Sequence, residues 1–140
     1  MKDLEEVEVI VAKTRVLLAD DHAAILARVR RQLGEEFEII GTATNGQEAV
    51  DAVARLNPDV LVMDVSMPVL NGFQAAARVR DTACRTKVIF LTVHEDADFV
   101  SAAFSSGASG YVTKSHLSTD LIKAIHEALQ GRSFVSALPV

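Results

Sequence analysis

Short runs of apolar residues alternate along the chain with longer segments in which apolar residues recur at helical spacing. The three clearest runs lie at residues 16–18, 60–63 and 88–91. None of them alternates with polar residues, which is the pattern of a strand buried on both faces of a sheet. Residues 37–40 and 111–112 are weaker strand candidates, which we expect nearer to the sheet edges. The pattern therefore predicts five strands.

Helical patterns separate the strands, and a further one follows the last strand. Four of them, with apolar residues on one face, lie around residues 25–33, 47–56, 73–80 and 96–106. The last helix has the clearest pattern. Ser118 is its expected N-cap, Asp120 lies in its first turn, and its apolar stripe ends before Gly131.

Strands that alternate with helices through short connections predict a parallel sheet with right-handed crossovers. Five such units predict an α/β, flavodoxin-like, doubly wound five-stranded parallel sheet with strand order 2-1-3-4-5 and helices on both faces. Ligands of this fold bind at the carboxyl ends of the strands. We expect one domain at residues 14–131, an N-terminal extension at 1–13, and the start of a linker or a tail at 132–140.

Composition and charge narrow the class of protein. Of the 140 residues 49% are hydrophobic, and 14 Lys and Arg against 19 Asp and Glu give a formal charge of −5. An acidic domain without a basic stripe is a poor candidate for binding nucleic acid by itself. The single cysteine, Cys84, excludes an intramolecular disulfide and suits a reducing compartment. No apolar run approaches the roughly 18 residues of a membrane span, so we expect a soluble, cytoplasmic protein without a membrane partner.

Polar residues with related chemistry follow the predicted strands. Asp20 and Asp21 end the first strand, Asp64 the third and Thr92 the fourth, and Lys114 follows the fifth. Three carboxylates at one sheet edge would repel one another by roughly 4 kcal/mol per close pair at an effective dielectric of about 20, so we expect a cation among them. Oxygen ligands favour Mg²⁺, and the added ammonium and hydroxyl indicate a site that handles phosphoryl groups.

Taken singly, these residues have simpler interpretations. An Asp-Asp pair is more often a turn or a helix cap, Thr92 alone is as readily a cap, and Lys114 alone is as readily a surface charge. Carboxylates that meet at the ends of two buried strands are harder to explain by structure alone. The histidines lack the spacing of a transition-metal site, and we expect solvated or capping roles for His22, His94, His116 and His126.

Four segments, in order, resemble the signatures of the receiver domain of bacterial two-component response regulators. Any one of them is weak evidence, but the ordered set is specific, and the match runs from about Arg15 to Gln130. The segments are Val-Leu-Leu-Ala-Asp-Asp-His at 16–22, Asp-Val-Ser-Met-Pro at 64–68 followed by Gly72, Leu-Thr at 91–92, and Gly-Ala-Ser-Gly-Tyr-Val-Thr-Lys at 107–114.

The resemblance implies a role for each acidic residue. Asp64 is expected to attack the phosphorus of a phosphohistidine on a sensor histidine kinase and to become an aspartyl phosphate. Asp21 and Asp64 are expected to ligate Mg²⁺ directly, together with the backbone carbonyl of Ser66, while Asp20 contributes through water. The domain would catalyse only its own phosphorylation and dephosphorylation, and it is otherwise not an enzyme.

The resemblance also implies a conformational switch. Lys114 is expected to contact the phosphoryl group, and Thr92 to move into a hydrogen bond with it. Tyr111 would then turn inward to fill the space that Thr92 leaves. New charge-assisted hydrogen bonds to the phosphoryl oxygens would drive this population shift.

The residues of these motifs resemble those of a subgroup of regulators that carries a C-terminal four-helix output domain with a helix-turn-helix. This chain has no such domain, so we expect control of transcription and contact with DNA only through an output domain that is not present here. Phosphorylation-enhanced homodimers are a further expectation.

Two other function classes stay open. A Mg²⁺-dependent phosphatase that forms an aspartyl phosphate would carry Asp-x-Asp after the first strand, whereas the residue two positions after Asp20 is His22. A pseudo-receiver that docks a partner without phosphorylation usually lacks one acidic residue, whereas all three are present here.

Overall fold

Six parallel strands form the central sheet of the computed structural model, which describes residues 12–82 and 85–139. Their order across the sheet is β2-β1-β3-β4-β5-β6, so the predicted doubly wound fold and the order of its first five strands are confirmed. The strands are β1 (Thr14–Ala19), β2 (Phe37–Ala43), β3 (Val60–Met63), β4 (Lys87–Thr92), β5 (Gly110–Thr113) and β6 (Phe134–Val135).

Within the described residues, five helices cover the two faces of this sheet. They are α1 (Ala23–Leu33), α2 (Gly46–Leu56), α3 (Gly72–Thr82), α4 (Ala97–Ser105) and α5 (Leu117–Leu129). One apolar core joins the sheet to α1 and α5, and the other joins it to α2, α3 and α4. Successive strand residues enter opposite cores: Leu17 and Leu61 face one, Val16 and Val60 the other, and all four are fully buried. Burial on both faces explains why the central strands show no polar alternation.

The last part of the chain departs from the prediction in three ways. A sixth strand was not predicted, and β5 consequently lies between β4 and β6 instead of near an edge. The helix α5 begins at Leu117, directly after a 3₁₀ turn at Lys114–His116, so Ser118 lies inside the first turn and is not the N-cap. The predicted domain boundary at 131 precedes β6 and stays a prediction.

Some predictions fall outside the described residues. These are Cys84 and the N-terminal extension up to residue 11. Within the described ranges, no helix has both the length and the apolar character that crossing a membrane requires.

Candidate functional site

Four strands bring the candidate residues to one edge of the sheet. The strands are parallel, and their ends lie within two residues of one another: Ala19 pairs with Met63, Met63 with Phe90 two residues before the end of β4, and Thr92 with Thr113. The predicted convergence at the carboxyl ends is therefore observed. The residues that it brings to this edge are Asp20 after β1, Asp64 after β3, Thr92 at the end of β4, and Lys114 after β5.

A buried ammonium group joins two of the carboxylates. The Nζ atom of Lys114 lies 2.9 Å from Oδ2 of Asp20 and 3.1 Å from Oδ2 of Asp64. The side chains of Asp20 and Asp64 are only 4% and 5% exposed. Burial by itself lowers the pKa of Lys114, but the hydrogen bonds and negative charges of the two aspartates outweigh it and raise this pKa above its ordinary value. The lysine therefore carries its charge at neutral pH.

This ammonium changes the electrostatics that we expected from the sequence. The carboxylates of Asp20, Asp21 and Asp64 were expected to need an added cation, and Lys114 already supplies one positive charge inside the cluster. Three carboxylates and one ammonium still leave a net charge of −2 at this edge of the sheet. A single divalent cation would neutralise this remaining charge.

Asp21 and His22 form the exposed side of the cluster. The side chain of Asp21 is 36% exposed and that of His22 is 65% exposed. Nδ1 of His22 lies 3.0 Å from Oδ1 of Asp20 and 3.1 Å from Oδ1 of Asp21, and the backbone N–H of His22 donates to Asp20 at 2.8 Å. We expected a solvated or capping histidine. Its exposure agrees with that expectation, but its contact with two carboxylates was missed.

The donor atoms fit a small divalent cation. Asp20, Asp21, His22 and Asp64 each offer one ligand atom, and these atoms all lie within 4.8 Å of one another. Three of the four groups are carboxylates, which are the ligands that Mg²⁺ prefers. Ser66, whose carbonyl we predicted as another ligand, lies in the loop that follows Asp64, and its backbone N–H is 3.4 Å from Oδ1 of that residue.

His94, for which we expected a solvated or capping role, instead links two loops beside this cluster. Nε2 of His94 lies 2.9 Å from Oγ of Ser66, and its ring stacks on Phe99 with centroids 4.1 Å apart. The carbonyl of His94 accepts a hydrogen bond from the Tyr111 hydroxyl at 2.7 Å. The only signal in the sequence is position, because His94 and Ser66 each follow a candidate site residue by two positions.

Tyr111 is fully buried, which is the arrangement that the resemblance assigns to the phosphorylated domain. Burial raises the pKa of its hydroxyl from 10.0 to about 12, with smaller contributions from the negative charges of Asp96 and Asp64. Its neighbour in the predicted switch, Thr92, is also fully buried, and its hydroxyl lies 3.4 Å from the His94 N–H, which donates to it.

The pKa of Tyr111 gives a pH dependence that can be measured directly, because it is the only tyrosine and the chain has no tryptophan. A folded-state pKa above the unfolded one means that stability is fully present below about pH 10 and is lost as pH rises toward 12. We expect tyrosinate absorption to appear near pH 12, together with a fall in the free energy of unfolding. Tyr111→Phe should lose less stability over this window, and an equal loss in both proteins would contradict the assignment.

Gly72 allows the start of α3 to approach the backbone of Asp64. A Cβ atom at this position would lie 2.4 Å from the Asp64 carbonyl oxygen and 2.8 Å from the Phe90 ring. We expect Gly72→Ala to lower the free energy of unfolding by about 1–3 kcal/mol, the usual cost of overpacking, and to displace the Asp64 carboxylate. Urea unfolding measures the first effect. Gly41→Ala is the matched control, because its Cβ would meet only side chains, at 3.3 Å and 3.4 Å.

Comparisons with known proteins agree with this geometry. The model of the response regulator receiver domain family matches residues 16–126. The transcriptional regulatory protein DegU of Brevibacillus brevis is 34% identical over 125 residues, which are 88% of this chain and 53% of that protein. The chain spans little more than half the length of the curated relatives that it matches.

Two solved structures show the same fold. A LuxR-family two-component response regulator from Aurantimonas sp. SI85-9A1 has a TM-score of 0.83 and 31% identity, covering 88% of this chain and 89% of that one. The isolated receiver domain of RcsB from Salmonella enterica serovar Typhimurium, determined with the phosphomimetic BeF₃⁻, has a TM-score of 0.81 and 25% identity, covering 89% and 94%.

Proposed function

The chain belongs to the response regulator receiver domain family, and from this premise we propose that Asp64 is the residue that accepts the phosphoryl group. Receiver domains are signalling switches of two-component systems rather than typical enzymes. The observation that carries the proposal is the position of Asp64, a buried carboxylate at the end of a central strand whose Oδ2 is held 3.1 Å from the ammonium of Lys114.

In the proposed reaction, a carboxylate oxygen of Asp64 attacks the phosphorus of a phosphorylated imidazole on a sensor histidine kinase. The new bond joins oxygen to phosphorus. The phosphorus–nitrogen bond breaks, its electron pair returns to the donor imidazole, and that ring takes up a proton. Lys114 offsets the negative charge that would otherwise repel the donor, and it lies where it can contact the transferred group. Self-catalysed dephosphorylation belongs to the same proposal.

Magnesium dependence is supported by the donor set and by the net charge of the cluster. Asp20, Asp21 and Asp64 would hold the ion, together with the carbonyl of Ser66. When bound, Mg²⁺ would neutralise the remaining charge and provide ligand positions for phosphoryl oxygens. His22 contacts Asp20 and Asp21, and thereby orients two of these carboxylates.

We assign the conformational response to Thr92 and Tyr111. Thr92 ends the strand next to β3, so a shift of its hydroxyl toward a phosphoryl group on Asp64 would disturb its contact with the His94 N–H. Tyr111 binds the carbonyl of the same histidine. Both movements would therefore displace the loop that contains His94.

The relatives support a proposal for the output and the partners. DegU is a transcriptional regulatory protein about twice the matched length, so we propose that this receiver controls transcription when joined to an output domain, which would also make the DNA contacts. Homodimers formed on phosphorylation and a location in the cytoplasm belong to the same proposal.

Intact mass spectrometry after incubation with acetyl phosphate and Mg²⁺ tests the proposed function. We expect a base-labile gain of one phosphoryl group for each chain, and no gain in EDTA. A chain that gains no mass under these conditions, while still folded, would instead be a pseudo-receiver that binds its partner without phosphorylation.

A further inference from the structure

The residues after α5 fold back onto the sheet. Gly131 has a φ of +78°, in the left-handed region that favours glycine, and it reverses the chain direction. The backbone N–H of Arg132 donates to the Glu127 carbonyl at 2.8 Å. Phe134 packs against the core that α1 and α5 share, and β6 pairs with β5 in parallel. We call residues 132–136 the return segment.

Ser136 anchors the end of this segment. It is only 2% exposed, and its hydroxyl acts as both donor and acceptor. The hydroxyl donates to Oδ2 of Asp120 at 2.7 Å and accepts from the backbone N–H of Thr113 at 3.2 Å. The backbone N–H of Ser136 donates to the Tyr111 carbonyl at 2.9 Å. No other polar side chain of the return segment is buried.

Two of these bonds end on β5, which contains one candidate site residue, Tyr111, and directly precedes another, Lys114. Tyr111 is bound directly, and Thr113 immediately precedes Lys114. Lys114 in turn contacts Asp64 at 3.1 Å. A continuous set of contacts therefore runs from the proposed phosphoacceptor, through Lys114 and Thr113, to Ser136.

We propose that Ser136 is a positioning residue that couples the docking of the return segment on β5 to the phosphorylation of Asp64. This inference rests on the proposed function of Asp64. A phosphoryl group places its anionic oxygens beyond the carboxylate, so Lys114 has to shift to contact them, and Thr113 shifts with it. At 3.2 Å the bond from Thr113 to Ser136 lies at the upper end of the usual range, whereas the bond from Ser136 to Asp120 is 2.7 Å long, so we expect the bond to Thr113 to break first. Phosphorylation thus releases the segment and, by reciprocity, release of the segment favours phosphorylation.

Hydrogen exchange of the full chain tests the first half of this coupling. The chain is treated with acetyl phosphate and Mg²⁺, its phosphorylation is checked by intact mass, and exchange is followed for the amides of the return segment. We expect exchange about fivefold faster or more after phosphorylation, at the low end of the usual coupling between two sites. Unchanged or slower exchange in a phosphorylated chain overturns the coupling and leaves the proposed function intact. A chain that is never phosphorylated overturns both.

Ser136→Ala tests the reciprocal half, with Ser133→Ala as the matched control because Ser133 lies in the same segment and is exposed. Binding of beryllofluoride in the presence of Mg²⁺ is followed by the fluorescence of the sole tyrosine. We expect about fivefold tighter binding for Ser136→Ala and no change for Ser133→Ala. The exchange difference between the two phosphorylation states should also disappear in Ser136→Ala, which a purely structural role would not cause.

A second variant covers the case in which Ser136→Ala does not fold. Asp120→Ala removes the acceptor of the Ser136 hydroxyl without changing any residue of the return segment or of the site, and it should also tighten beryllofluoride binding. Wild-type affinity in the folded variant, or in both variants if both fold, would overturn the proposal.

Discussion

Asp64→Asn is expected to abolish labelling by acetyl phosphate while the protein stays folded. Asparagine has nearly the same shape, and its side-chain oxygen can still accept the hydrogen bond that Lys114 donates to Asp64. The amide cannot act as the attacking carboxylate, and the net charge of the cluster becomes less negative. Intact mass should therefore show no phosphoryl gain, and the far-ultraviolet circular dichroism should match that of the wild type.

Asp51→Asn is the matched control for this experiment. Asp51 is exposed on α2, where it accepts a hydrogen bond from Gln47, and asparagine can accept the same bond. The control should gain one phosphoryl group like the wild type. Labelling of Asp64→Asn at the wild-type level would show that another residue is the nucleophile.

Lys114→Met is expected to have the largest effect on stability. The substitution leaves the carboxylates of Asp20 and Asp64 buried beside each other without their shared ammonium. Removing one partner of a buried ion pair usually lowers the free energy of unfolding by about 3–5 kcal/mol. Urea unfolding in EDTA measures this loss, and we expect the midpoint to fall with little change in the slope.

Magnesium should stabilise Lys114→Met more than it stabilises the wild type, because a divalent cation replaces part of the missing positive charge. Phosphorylation should nevertheless be much slower, since the ammonium no longer contacts the phosphoryl group. Lys123→Met, on the exposed face of α5, is the control, and its free energy of unfolding should stay within about 0.5 kcal/mol of wild type. A similarly small effect of Lys114→Met would mean that the ion pairs of Lys114 contribute little to the free energy of unfolding.

The fold was largely predictable because residue patterns within short segments of the chain indicate its strands and helices. Apolar runs at residues 60–63 and 88–91 indicate strands buried on both faces, and the helical patterns between them require parallel crossovers. Once the sheet is parallel, the carboxyl ends of its strands share one edge. The approach of Asp20, Asp64 and Lys114 thus follows from topology, although Lys114 and Asp64 are 50 positions apart.

The sequence could not determine the local geometry at the end of the chain. Ser118 is a good N-cap by residue type, but the 3₁₀ turn at Lys114–His116 leads directly into α5 and places this residue within the helix. The strand β6 has only two residues, too few for any periodicity. It forms because the edge of β5 has free backbone groups to pair with, which is a property of the assembled sheet.

The order of the elements and the chemical types of residue at the sheet edge can be read from the amino-acid sequence alone. Which of these groups pair depends on the three-dimensional packing. The ammonium of Lys114 lies between two particular carboxylates, and the ring of His94 reaches Ser66 from a loop 28 positions away. Hydrogen bonds and ion pairs depend on distances of a few ångströms, and those distances are set by how helices pack on the sheet rather than by any spacing along the chain.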